Sequence, residues 1–175
     1  MINVFAISSA LPVPPRPVPS VVGSFTLLAG RNAELENVKV KDYSNNNLEV
    51  FDVTCNKAVF NNASIINSRF EKTFLTDVEF TNCNFSNTTF DNCSFIRCEF
   101  NNCKLTGCNF IENVLFDIGF IDSNMSYANI SLSNLRGIIF NNTSIRSGSL
   151  QGNKVKKVFH EACISCFIVS QRFSY

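Results

Sequence analysis

Tryptophan is absent from the chain, and histidine is nearly so. The 175 residues include no Trp, three Tyr and one His, His160, against 18 Phe. A single imidazole removes most acid–base and nucleophilic chemistry, because such sites usually depend on a nearby histidine. Charged residues make up 17%, with 15 Lys and Arg against 14 Asp and Glu. The overall charge therefore gives no argument for nucleic acid, an anionic membrane or an acidic substrate.

Long apolar runs are also missing, so the sequence predicts no membrane span. The opening residues carry no basic n-region, which argues against a secretory signal peptide. All five prolines fall between Pro12 and Pro19, and residues 1–30 contain one charged residue, Arg16. We therefore expect residues 1–30 to form a disordered, Pro-containing leader.

A period of five residues dominates the rest of the chain. From residue 50 to residue 155, all 22 residues whose number is a multiple of five are apolar. At the chain's apolar content, chance would give this about once in ten million sequences. Ten of the 18 Phe share this phase. The residues of this phase are Val50, Cys55, Phe60, Ile65, Phe70, Leu75, Phe80, Phe85, Phe90, Phe95, Phe100, Leu105, Phe110, Leu115, Phe120, Met125, Ile130, Leu135, Phe140, Ile145, Leu150 and Val155.

Two residues before each of these positions the side chain is usually small, and the other three positions are rich in Asn, Ser, Thr and Asp. A period of five fits neither an amphipathic helix nor an isolated strand. It fits a square coil in which each pentad forms one side and residues 20 apart stack at the strand spacing. Large apolar side chains would then fill the axis, as in Phe60 over Phe80. The pattern predicts an all-β solenoid.

Individual pentads resemble the A(D/N)LXX unit of the pentapeptide-repeat family. Matching units include Cys83-Asn84-Phe85, Cys108-Asn109-Phe110, Ala128-Asn129-Ile130 and Ser133-Asn134-Leu135. The resemblance implies a right-handed quadrilateral parallel β-helix over residues 48–152. Because solenoid ends need covering, we expect an N-terminal cap or irregular first coil at 31–47. We expect an amphipathic cap helix at 153–175.

The eight cysteines do not form a disulfide framework by their spacing. Five of them occupy the small inward position of the repeat, so buried, reduced thiols are expected. These five are Cys83, Cys93, Cys98, Cys103 and Cys108. Near the C-terminus, His160, Cys163 and Cys166 form an HxxCxxC string that fits the start of a zinc site, a lipidated thiol or a packed cap helix. No fourth ligand is evident, so no metal site and no cofactor are predicted.

An enzyme is not predicted, because the repeats contain no histidine, no Gly-rich phosphate loop and no paired carboxylates. The chain is expected to be a non-catalytic protein–protein interaction module. The Asn- and Phe-rich solenoid after an acid-free leader resembles bacterial type III secreted effectors, which implies synthesis in the bacterial cytoplasm, secretion into a host cell and a host protein as partner.

A second branch of the family, the quinolone-resistance proteins, implies a cytoplasmic partner of DNA gyrase or another topoisomerase. Duplex DNA carries about one negative charge per 1.7 Å, so a full mimic of five coils would need roughly 14 negative charges. Residues 56–152 carry eight acids and seven bases. Strong DNA mimicry is therefore disfavoured, while gyrase binding through other contacts stays open.

One side of the coil is predicted to carry a binding surface. Beside the ladder of Leu75, Leu115 and their stacked neighbours, outward positions would expose apolar side chains with charged residues at their rim. An apolar patch with a charged rim marks a contact surface, for a partner or a homodimer; the alternative is that the chain's own tail covers it. The apolar residues are Phe74, Ile96, Val114 and Phe116, and the rim residues are Asp77, Arg97, Asp117 and Arg136.

Overall fold

The structure, a computed structural model, describes residues 20–21 and 32–161. Within these ranges the chain forms 18 strands and no helix. Parallel pairing joins residues 20 apart, as in Phe90 with Phe110, so each turn of the chain takes four pentads. The four-sided parallel β-solenoid predicted from the period of five is confirmed.

Side 1 of the solenoid is a separate parallel sheet of six short strands, one for each coil. Its strands are β4 (Glu49–Phe51), β7 (Arg69–Glu71), β10 (Thr89–Asp91), β13 (Asn109–Ile111), β15 (Asn129–Ser131) and β17 (Ser149–Gln151).

Sides 2 and 3 together form a 12-stranded parallel sheet, because its last three strands run across both sides without a break. Side 2 contains β2 (Glu34–Glu36), β5 (Thr54–Asn56), β8 (Phe74–Thr76) and β11 (Ser94–Ile96). Side 3 contains β1 (Ser20–Val21), β3 (Val38–Lys41), β6 (Val59–Asn61), β9 (Glu79–Thr81) and β12 (Glu99–Asn101). The strands shared by both sides are β14 (Val114–Ile121), β16 (Asn134–Asn141) and β18 (Lys154–Glu161). Side 4 is held by single bridges such as Ser64 with Asn84.

Phenylalanine ladders fill the axis of the solenoid. On side 3, Phe80, Phe100 and Phe120 stack with ring centroids 4.7 and 5.1 Å apart. On side 1, Phe90 and Phe110 stack at 5.0 Å. These distances are close to the strand spacing, so identical rings lie one above the other while the backbones pair. The predicted ladders are therefore confirmed.

Each corner is turned by one residue in the left-handed region. From Asn32 to Lys157, every fifth residue has a positive φ, 26 positions in all, of which three are glycine. Asparagine and aspartate tolerate this region better than other non-glycine residues, and they hold 15 of the other 23 corners. The many asparagines therefore stabilise the left-handed corners, in addition to providing polar side chains on the solvent-exposed surface.

The first described coil is regular on two sides and irregular on the third. Strands β2 and β3 pair in register with β5 and β6. On side 4, Asn45 stands at a position that is apolar in later coils, and its side chain is exposed while Tyr43 packs against the core. Of the predicted leader, Ser20–Val21 form β1 beside β3; the other residues of 1–30 lie outside the described ranges.

The cap helix expected at 153–175 is contradicted over Lys154–Glu161, which form β18. Val155 and Val158 continue the central and inward positions of the repeat, and β-branched residues favour strands. Pairing with β16 along seven residue pairs also satisfies the backbone of both strands. A helix there would leave the last edge of β16 unpaired. Residues 162–175 lie outside the described ranges.

Candidate interaction surface

The four predicted apolar residues lie on side 2 and point outward. Phe74 opens β8, Ile96 closes β11, and Val114 and Phe116 flank the buried Leu115 in β14. The outward direction follows from strand alternation, because the central residue of each pentad is buried in the axis. Phe74 is 50% exposed, and the other three side chains are half-buried.

Strand register brings three of these residues together and separates the fourth. Ile96 pairs with Phe116 across β11 and β14, and Val114 lies two residues from Phe116 on the same strand. Ser94 pairs with both Phe74 and Val114, so it stands between them. The apolar surface therefore consists of a contiguous group at Ile96, Val114 and Phe116, with Phe74 as an outlier.

Charged side chains border this group in fixed positions. Arg97 donates from Nε to Asp77 Oδ1 at 2.6 Å and from Nη2 to Asp77 Oδ2 at 2.9 Å. The hydrogen bond from Asp77 raises the pKa of the Arg97 guanidinium. The guanidinium carbon of Arg136 lies 6.0 Å from the centre of the Phe116 ring, within reach of a cation–π contact. The charged residues therefore contact one another through the Asp77–Arg97 pair, and Arg136 contacts the apolar group at Phe116.

Three further exposed apolar side chains were not singled out from the sequence. Tyr127 is 65% exposed, Leu132 is 62% exposed and Phe159 is 56% exposed. Tyr127 and Leu132 hold left-handed corners with φ of 61° and 53°. Tyr127 and Leu132 each lie two residues after a central residue of the repeat. That position is a corner of the coil, and corner side chains point away from the axis, so the sequence spacing could have predicted their exposure.

The six cysteines within the described ranges are buried and free, as expected. Burial raises the pKa of Cys55 to about 12 and that of Cys93 to about 11. Cys83 and Cys103 are stacked neighbours, and the hydrogen bond between their thiols raises the pKa of Cys103 and lowers that of Cys83. These thiols act as small core side chains.

The structure leaves the C-terminal HxxCxxC string untested, because Cys163 and Cys166 lie outside the described ranges. His160 pairs with Phe140 in β18. Among the described residues, no group of three or more His, Cys, Asp or Glu is placed to hold a metal ion. The same ranges contain no helix with the length and apolarity needed to cross a membrane.

Two family profiles match the chain. One, for a pentapeptide repeat region, covers residues 93–163, and the other, for eight copies of the pentapeptide repeat, covers residues 75–110. Together they span about half of the chain, and up to residue 161 they coincide with the coils described above. No curated protein sequence matches the chain significantly.

Several solved structures are similar to this fold. The cyanobacterial pentapeptide repeat protein Rfr23 from Cyanothece 51142 has a TM-score of 0.53 at 13% identity, covering 77% of this chain and 88% of that one. A pentapeptide repeat protein from the Arabidopsis thaliana thylakoid lumen has a TM-score of 0.46 at 23% identity, covering 49% of this chain and 60% of that one. This chain therefore spans less than two thirds of that protein. QnrB1, a plasmid-mediated fluoroquinolone resistance protein, has a TM-score of 0.38 at 15% identity, covering 74% and 71%.

The coils, the corners and the Phe ladders define a parallel β-solenoid built from five-residue repeats. The profile matches and the Rfr23 fold agree with that class. The chain belongs to the pentapeptide repeat family.

Proposed function

We propose that this chain is a non-catalytic interaction module that binds a protein partner through side 2. The observation that carries the proposal is the contiguous apolar group at Ile96, Val114 and Phe116, bordered by the Asp77–Arg97 ion pair and by Arg136. Surfaces of this kind, apolar at the centre and charged at the edge, are typical of protein contacts. The backbone beneath is rigid because both strands pair on both sides.

Site-specific photo-crosslinking tests the surface. A crosslinking residue at Ile96 is expected to capture the partner, whereas one at Ile111 is not. Ile111 is the matched control, because it closes β13 on side 1 as Ile96 closes β11 on side 2, and both side chains are half-buried. Phe74→Ser with Phe116→Ser should abolish the capture. Equal capture at positions 96 and 111, or capture unaffected by the two substitutions, would overturn the proposal.

We further propose that the module acts as a bacterial type III secreted effector on a host protein. The composition of residues 1–30, which contain every proline and no acid, supports delivery by such a leader. A translocation reporter fused after Tyr175 should be delivered by a secretion-competent bacterium, and removal of residues 1–30 should stop delivery. Absence of delivery with the full chain would contradict the effector role. A gyrase supercoiling-protection assay would then test the topoisomerase alternative.

A further inference from the structure

Side 2 ends in a strand edge at each end of the solenoid. Within residues 20–21 and 32–161, β2 pairs with β5 alone and β18 pairs with β16 alone. An edge strand presents backbone N–H and C=O groups that can pair with a strand of another chain. Both ends of the described solenoid can therefore accept a further strand on side 2, as they can on side 1 at β4 and β17.

The two edges carry opposite charges at equivalent positions. In β2, Glu34 and Glu36 flank the buried Leu35, and both carboxylates are exposed. In β18, Lys154 and Lys156 flank the half-buried Val155, and both ammonium groups are exposed. Leu35 and Val155 occupy the same central position of the repeat. The N-terminal edge strand therefore has the order acid–apolar–acid, and the C-terminal edge strand has the order base–apolar–base.

The same polarity extends over the end coils. Residues 32–53 contain five acids and two lysines, whereas residues 123–161 contain five Arg and Lys and one acid, Glu161. Arg136 and Lys156 pair in register, which places like charges next to each other. Directly opposed like charges destabilise a sheet, so an anionic neighbour at the last coil would relieve the repulsion. The basic residues are Arg136, Arg146, Lys154, Lys156 and Lys157.

We infer that copies of this chain associate head to tail, with β18 of one copy pairing in parallel with β2 of the next. Stacking the second copy as one more coil continues the register of the solenoid. Lys154 would then lie opposite Glu34, Val155 opposite Leu35 and Lys156 opposite Glu36. Opposite charges on facing strands stabilise the pair, and the apolar ladder of side 2 would run on through the contact.

The charges also set the direction of association. Lysines on an edge strand normally prevent sheets from joining, and here they oppose contact between two C-terminal ends. The glutamates of β2 likewise oppose contact between two N-terminal ends. The basic edge of β18 and the acidic edge of β2 attract each other. Contact between the C-terminal end of one copy and the N-terminal end of the next is therefore the arrangement that the charges favour.

Strand β1 limits how far the contact extends. On side 3, Ser20 and Val21 pair with Val38 and Lys39 and already cover that part of the β3 edge. The side 3 half of β18 would need this two-residue strand to give way before it could pair with β3. The inferred contact is therefore formed through the three residue pairs of side 2, and its strength depends on the two charge pairs.

The mass of the full-length chain in solution tests the inference. Sedimentation velocity over a range of protein concentrations should show association in about 50 mM NaCl that is lost in about 500 mM NaCl, because added salt shortens the range of charge interactions. Lys154→Glu with Lys156→Glu should give a monomer, and so should Glu34→Lys with Glu36→Lys. The chain with all four substitutions should associate again, because both edges are then reversed together. Lys104→Glu on side 4 is the control for one changed surface charge.

Mixing keeps the inference falsifiable if a variant is weakened in its fold. Each two-residue variant has two ends of like charge, so each should be monomeric alone and the two should associate when combined. Because Glu36 also lies 3.6 Å from Lys57, Lys57→Ala is a second control that should leave association intact. A wild-type monomer at both salt concentrations, or failure of both the mixture and the four-residue variant to associate, would overturn the inference. Persistent association of either two-residue variant alone would also overturn it.

Discussion

Gly152 lies one coil above Leu132, and a Cβ at Gly152 would come within 3.0 Å of Leu132 Cδ2. Both residues turn the same corner of the solenoid in the left-handed region, with φ of 69° and 53°. Leucine adopts that region at a cost, whereas glycine does not. The missing side chain at 152 leaves room for the exposed leucine, so this corner combines a strained residue with a neighbour that accommodates it.

Leu132→Asn is therefore expected to raise the free energy of unfolding by about 1 kcal/mol, because asparagine accepts the left-handed conformation more readily than leucine. Urea unfolding followed by circular dichroism measures the change. Phe74→Asn is the matched control, since Phe74 is also an exposed apolar residue but lies in a strand. It should leave stability unchanged or lower it. A destabilised Leu132→Asn would show that the leucine makes contacts that outweigh its backbone strain.

The period of five was sufficient to predict the solenoid, because an apolar residue at every fifth position can be buried on one axis in few other ways. The same period predicts that residues 20 apart in sequence stack in neighbouring coils. The position of Ser94 between Phe74 and Val114 could have been predicted from that spacing. The corners at Tyr127 and Leu132 were not predictable from residue type, because neither residue favours a left-handed backbone. Closure of the coil imposes that conformation on whatever residue stands there.

The C-terminal strand was mispredicted for a different reason. Val155 and Val158 are three residues apart, which fits one face of a helix as well as the central and inward positions of consecutive pentads. The local sequence pattern therefore does not distinguish a helix from a further coil of the solenoid. The unpaired edge of β16 decides in favour of the strand, because β18 supplies the backbone partners that a helix would not.

The Phe100 ring should contribute strongly to stability. It stacks on Phe80 at 4.7 Å and on Phe120 at 5.1 Å, and its side chain is 1% exposed. Phe100→Ala is expected to cost about 3–5 kcal/mol, because it removes a buried ring and leaves a cavity in the ladder. Phe74→Ala, at a half-exposed ring, should cost less than about 1 kcal/mol. If urea unfolding showed similar losses in the free energy of unfolding for the two variants, the stacked Phe ladder would not be the main contributor to stability.

Asparagine side chains form a ladder along one corner. Asn82 Nδ2 donates to Asn62 Oδ1 at 3.3 Å, and Asn102 Nδ2 donates to Asn82 Oδ1 at 2.8 Å. Asn82→Ala removes both bonds and places alanine at a φ of 55°, so a loss of about 1–2 kcal/mol is expected. Asn82→Gly removes the same bonds but tolerates the backbone, and should lose less. If the two variants were equally stable, the left-handed corner would carry no cost for alanine.

The buried thiols should make stability fall in alkaline solution. Cys108 is fully buried and donates from Sγ to the Phe85 carbonyl oxygen at 2.9 Å. Burial raises the pKa of this thiol to about 12, from an ordinary value of 9.0. The unfolded chain therefore releases the thiol proton as the pH passes 9, while the folded chain keeps it until about pH 12. The stability linked to Cys108 is fully present below the unfolded pKa and is lost as pH rises through this window.

Urea unfolding of the wild type and of Cys108→Ala at about pH 8 and about pH 10 measures this linkage. Alanine is a suitable replacement, because Ala128 occupies the stacked position in the next coil and is also buried. The wild type should lose about 1 kcal/mol more than the variant between the two conditions. All other ionisable groups, including the remaining cysteines, are present in both chains, so their contributions cancel in the comparison. Equal losses in the two chains would mean that the Cys108 thiol ionises as readily in the folded state as in the unfolded state.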